Sequence, residues 1–165
     1  MTSALIDQLA TTPKSLAHLV AEASDARLDA VNGDSWSART VLAHFRDDEY
    51  LCMRVAVERI LAETNPNLHF VEGGEWAPTR NTSRDRKELL LADFALQRQA
   101  SISILRGLRP EDWARMGHTE SGDQFTIRRF LEAWIRHDAE HVSQLEGLLG
   151  ETVAAVIERR SRRPE

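Results

Sequence analysis

Apolar residues in this chain return every three or four positions in four long stretches, and no segment alternates apolar and polar residues as a half-buried strand would. Helices are therefore the predicted elements, and each carries its own punctuation. The first stretch runs from about Thr2 to Ala23 and is interrupted at Pro13, where Thr12 is placed to cap a helix with proline at its first position. The second opens at Ser37, runs through Val41, Leu42, Phe45, Leu51, Cys52, Val55 and Ile60, and is stopped by Asn65-Pro66. The third begins near Thr82, with Asp85 three residues on as a capping-box-like partner, and ends at Gly107 with Pro110 just beyond. The fourth opens at Thr126, carries Phe130, Leu131, Trp134, Leu145 and Leu148, and stops before Gly150. Trp36 and Phe125, each preceding a cap residue, are placed to staple to Val41 and Phe130.

Four helices of roughly 30–40 Å, at 1.5 Å per residue, predict an all-α four-helix bundle over residues 1–150, with 151–165 as a short tail. Residues 65–81, rich in Asn, Pro and Gly, are too many for a hairpin between neighbouring helices. At about 3.3 Å per extended residue this segment can return along the whole bundle. Helices two and three are then parallel, in an up-down-down-up order. Glu75-Trp76 and Trp113 are expected to fold back over one end. In the tail, Arg159, Arg160, Arg162 and Arg163 read as a solvated, frayed end, while Val153, Ala154, Val156 and Ile157 form a strip able to close the bundle or join two subunits.

Composition narrows the function classes. A chain of 165 residues, 42% hydrophobic and 28% charged, is ordinary for one globular domain. A net charge of −5, with no basic stripe carrying interleaved aromatics, argues against nucleic-acid binding. No apolar run approaches the ~20 residues of a membrane span, and no secretory signal opens the chain. The single cysteine, Cys52, rules out an intramolecular disulfide and fits a reducing cytoplasm; its apolar surroundings predict a packing role.

The histidines carry the chemical signal. His137 and His141 are i and i+4 on the fourth helix, about 6 Å apart at Cβ, so both imidazoles can reach one ion at about 2.1 Å. Phe130, Trp134, Leu145 and Leu148 share their stripe, which turns them toward the core. His44, between Val41 and Leu51, also lies on an apolar stripe. Three buried imidazoles need partners for their ring nitrogens, and a divalent metal satisfies all three at once. The alternative is that each is a satisfied core or surface residue. The motif differs from the zinc-protease pattern, because Asp138 rather than glutamate follows His137. Asp138 is turned by about 100° from His137, which suits a salt bridge or an outer hydrogen bond better than ligation. Asp48, i+4 from His44, is the candidate for a fourth ligand or a base, with an interhelical ion pair as the alternative. His18 falls off its helix's apolar stripe and is expected to be exposed, and His69 and His118 are placed in loops, at the surface or near the metal.

Two stretches are also similar to a known family. Trp36-Ser37-Ala38-Arg39-Thr40-Val41-Leu42-Ala43-His44-Phe45-Arg46-Asp47-Asp48-Glu49 resembles the opening of the second helix in the DinB/YfiT-like superfamily. His137-Asp138-Ala139-Glu140-His141-Val142-Ser143-Gln144-Leu145 resembles its fourth-helix motif. The resemblance spans about Thr12 to Gly150; Thr40 departs from it, standing where many relatives carry an acidic residue, and the loop containing Gly73, Gly74, Glu75 and Trp76 suggests a subgroup. It implies the up-down-down-up bundle, often a homodimer, and a three-histidine divalent-metal site mapping onto His44, His137 and His141.

Three neutral imidazoles leave an open coordination position, as a catalytic site does. Zinc or nickel suits nitrogen ligands, with iron or manganese as alternatives. The family resemblance implies first a thiol S-transferase, in which the metal activates a low-molecular-weight thiol against a small electrophile. Arg46, Arg80 and Arg84 are candidates for an anionic cofactor or plain surface charges. Metal-dependent hydrolysis and non-catalytic, stress-associated metal or ligand binding are the other readings.

Overall fold

The computed structural model describes residues 2–31, 36–70 and 85–162. Its bundle is built from α1 (Thr2–Leu9) with α2 (Thr12–Leu19), α4 (Ala38–Asp48) continuing through a π-helical segment (Glu49–Arg54) into α5 (Val55–Ala62), α6 (Lys87–Arg106), and α7 (Ile127–Leu149). A short α3 (Asp25–Asp29) links the first two bundle helices, and α8 (Val153–Ser161) follows the last.

Contacts that climb together along two helices give their direction. Arg39 meets Asp85, Phe45 meets Phe94 and Glu49 meets Arg98, so α4–α5 and α6 are parallel. Ile6 and Leu9 share a core cluster with Phe130 and Trp134, and Leu16 and Leu19 share one with Leu145 and Leu149, so the first and last bundle helices are parallel too. Asp7 with Arg106, and Val20 with Lys87, set the first helix antiparallel to α6. The order is up-down-down-up.

The caps read from the sequence at Ser37 and Thr126 hold. Ser37 accepts from the Thr40 N–H and Thr126 from the Arg129 N–H, while Trp36 and Phe125 pack on the core clusters that contain Val41 and Phe130. Gly150 ends α7 with φ 60°, the left-handed conformation glycine adopts without strain. The first helix differs. It breaks at Ala10–Thr11, Pro13 lies in the first turn of α2, and the Thr12 hydroxyl donates to buried Asp138 at 2.6 Å instead of capping. The third helix begins at Lys87, and the Asp85 carboxylate accepts from Arg46 at 3.0 Å. Thr82, Gly73, Gly74, Glu75, Trp76, Arg80, Arg84 and Arg163 lie outside the described residues.

Three short strands add a feature absent from the helical reading. β1 (Asn67–Leu68) pairs parallel with β2 (Met116–Thr119), which pairs antiparallel with β3 (Gln124–Thr126). A Cβ at Gly117 would meet Pro66 O and Leu68 Cγ at 3.0 Å, which explains glycine in β2. β3 runs directly into the Thr126 cap and so holds the start of α7. Trp113 packs over the core at this end.

The tail is helical where a frayed end was expected. Val156 is buried, and Arg159 pairs with Glu151 at 3.0 Å. No helix among the described residues is long and apolar enough to cross a membrane.

The core falls into two clusters. One is built around Ile60, Leu105, Ile127 and Trp134, the other around Leu42, Phe45, Phe94 and Leu145. Between them lies a polar layer with one residue from each bundle helix: Thr12, Glu49, Arg98 and Asp138. The histidines sit beside this layer.

Candidate metal centre

His44, on α4, faces His137 and His141, on α7, across the groove between the two antiparallel helices. One ring nitrogen from each lies within 4.8 Å of the others, and the Nε2 atoms of His44 and His137 are 3.0 Å apart. His44 is buried and the other two are half-buried. Ring planes cross steeply, with His141 meeting His44 at 68° and His137 at 73°, each at 4.5 Å between centroids. The rings thus meet edge to face.

The surroundings set the rings. Trp36 lies parallel to His141, at 5° and 6.2 Å, and edge-on to His44 at 5.1 Å. Phe45 closes the inner side, 5.9 Å from the His141 ring. Gln144 Oε1 stands 2.8 Å from His141 Nδ1. Burial first, and the proximity of His137, pull the His141 pKa below the ordinary imidazole range. The neutral ring, which metal ligation requires, is thereby favoured.

Asp48 borders the cluster. Its Oδ2 is 3.5 Å from His137 Nε2 and 3.9 Å from His44 Nε2, on a side chain largely withdrawn from water. Asp138 is turned to the other side, toward Arg98 at 2.6 Å, and only its second oxygen approaches His137 Nδ1, at 3.8 Å. Its principal role is the salt bridge.

These residues fit a divalent ion. Two Nε2 atoms 3.0 Å apart can both lie about 2.1 Å from one point. Their facing lone pairs repel unless a proton or a cation stands between them. Asp48 adds an oxygen donor at the edge and a negative charge that offsets the ion's own.

Other expectations separate from the site. Arg46 is neither a surface charge nor open to an anion: it is 4% exposed, with its guanidinium bonded to Asp47 at 2.6 Å and Asp85 at 3.0 Å. His18 is half-buried rather than exposed. His69 is exposed beside Glu120 at 3.5 Å, and His118 lies in β2; neither joins the three-histidine cluster. Cys52 is buried in the core. Gln144 and the Arg98 layer went unnoticed in the sequence. The i+3 spacing from His141 to Gln144 is a legible signal for the first; nothing local marks the second.

The DinB superfamily model matches residues 8–145, a span that contains all three histidines and every bundle helix in whole or part. The chain belongs to the DinB superfamily. Among solved structures, it resembles YfiT from Bacillus subtilis, described as a probable metal-dependent hydrolase with an unusual four-helix bundle topology. That likeness has a TM-score of 0.79 over 92% of this chain and 89% of YfiT, at 18% sequence identity, and it shows that this DinB chain shares the YfiT fold. No curated protein matches the sequence.

Proposed function

We propose that this DinB protein is a metal-dependent enzyme in which His44, His137 and His141 hold a divalent ion and Asp48 handles the proton of a small nucleophile. The convergence of three imidazole nitrogens within 4.8 Å on two facing helices carries the reading. Such an ion, held by neutral imidazoles, acidifies a thiol or a water and holds the anion that results. Zinc or nickel suits the nitrogen donors.

The chain's own residues do the rest. Trp36 and Phe45 hold the rings in place and keep bulk water from their faces. Asp48, within reach of the point where the histidines meet, accepts the proton that the nucleophile releases. With a low-molecular-weight thiol as nucleophile, the reaction is S-transfer to a small electrophile, the first expectation from the family. Water as nucleophile gives hydrolysis. One observation favours this second reading: Arg46, one candidate for binding an anionic thiol cofactor, is locked in ion pairs.

The experiment is turnover by zinc- or nickel-loaded protein of an electrophile panel and an ester panel, with and without small thiols. Turnover that requires a thiol supports transfer, and turnover without one supports hydrolysis. Stoichiometric metal without turnover in either panel would reduce the protein to a metal binder. Equal metal content in wild type and His137→Ala would remove the site.

A further inference from the structure

We propose that Gln144 is a positioning residue that fixes the tautomer of His141 and so decides which ring nitrogen is offered to His44 and His137. The proposal rests on the metal-site reading above. His141 and Gln144 are i and i+3 on α7 and share one face of the helix. The His141 Nδ1 to Gln144 Oε1 separation of 2.8 Å is a good hydrogen-bond length. An amide oxygen can only accept, so Nδ1 carries the proton of the neutral ring and Nε2 keeps its lone pair. A lone pair is what a cation requires.

The rest of the pocket cannot make this choice. Trp36, parallel to the His141 ring, and Phe45, edge-on to it, restrict the plane of the imidazole but offer no acceptor to either nitrogen. An unassisted neutral histidine prefers its proton on Nε2, the nitrogen that would have to bind. His137 has a different outer neighbour, Asp138, at 3.8 Å, and that carboxylate is engaged by Arg98 and Thr12 at 2.6 Å each. Gln144 therefore does for His141 what no charged group near it does. Outer partners of this kind typically change metal affinity by about 10–100-fold.

The test pairs nitrogen-resolved NMR of the imidazole rings in metal-free protein with zinc affinity measured against a chromophoric chelator. Wild type should show His141 protonated on Nδ1. Gln144→Leu should move that proton to Nε2 and weaken zinc binding about 10–100-fold. Gln144→Glu, which keeps an acceptor, should restore the Nδ1 proton and hold zinc within a few-fold of wild type or more tightly. A wild-type ring protonated on Nε2 would overturn the proposal, because it means that the amide presents its NH2 group. An unchanged tautomer in Gln144→Leu, or a Glu variant as weak as the Leu variant, would overturn it too. A His141 tautomer that shifts as expected in protein that binds no zinc would instead sink the metal reading and leave the positioning role standing.

Discussion

Two polar clusters sit side by side in the middle of this bundle, and they are built on opposite terms. In the Arg98 layer every charge meets its counter-charge. The guanidinium, 2% exposed, bonds Glu49 at 2.9 Å, Asp138 at 2.6 Å and the Leu9 carbonyl at 2.9 Å, and its cationic carbon lies over the Phe94 and Trp134 rings. In the histidine cluster, nitrogen meets nitrogen at 3.0 Å, and the nearest opposite charge, Asp48, stands at the edge. The first cluster ties four helices together; the second brings three ring nitrogens toward one shared point. A buried charge that meets its counter-charge is architecture, whereas imidazole nitrogens that converge on one point make a candidate site.

The largest effect that separates the two belongs to Arg98. Arg98→Leu leaves Glu49 and Asp138 buried without their cation and should cost about 3–5 kcal/mol in urea unfolding of metal-free protein. A loss under about 1 kcal/mol would erase the distinction between the two clusters. His44→Ala should behave in the reverse way. It should spare most of the metal-free stability and abolish the zinc-dependent gain, which in wild type is about 2.7 kcal/mol at free zinc 100 times the dissociation constant. Thermal unfolding with zinc and with chelator reads this directly, and an unchanged zinc shift in the variant would show that the ion binds elsewhere. Wild-type zinc affinity should also fall as the pH is lowered, because each imidazole must be neutral to ligate.

The smallest effect sharpens the Arg98 cluster. One guanidinium faces two carboxylates, and the two respond differently. Burial raises the Glu49 pKa beyond what Arg98 pulls back. Burial also pushes Asp138 upward, but the Arg98 charge and the hydrogen bonds from Arg98 and Thr12 outweigh it and leave its pKa lowered. A raised folded pKa gives stability that is present below the unfolded value and is lost as the pH rises through the folded one. Glu49→Gln, which cannot ionise, should therefore gain stability relative to wild type as the pH rises above the ordinary carboxylate range. Denaturation midpoints of the pair across pH 4 to 9 test the sign; parallel curves would show that Glu49 titrates normally.

Much of this was legible in the chain. Ser37 and Thr126 announced two helix starts because capping is a local transaction, a hydroxyl meeting an N–H three residues on. The inward stripe holding His137 and His141 could be read for the same reason. Thr12 misled because its hydroxyl had a better partner 126 positions away in Asp138. The strands were missed because segments of two to four residues are too short to show alternation.

The sequence by itself determined the helices, their apolar faces, the parallel second and third members implied by the long connection, and the three histidines worth watching. These follow from periodicity, caps and segment length, which act within a few residues of one another. Only the tertiary structure decided that Arg46 is locked away, that Arg98 closes a layer across the core, and that Trp36 and Gln144 frame the His141 ring. Those outcomes depend on which side chain wins a shared partner when helices distant in sequence come together, and that competition exists only once the bundle has formed.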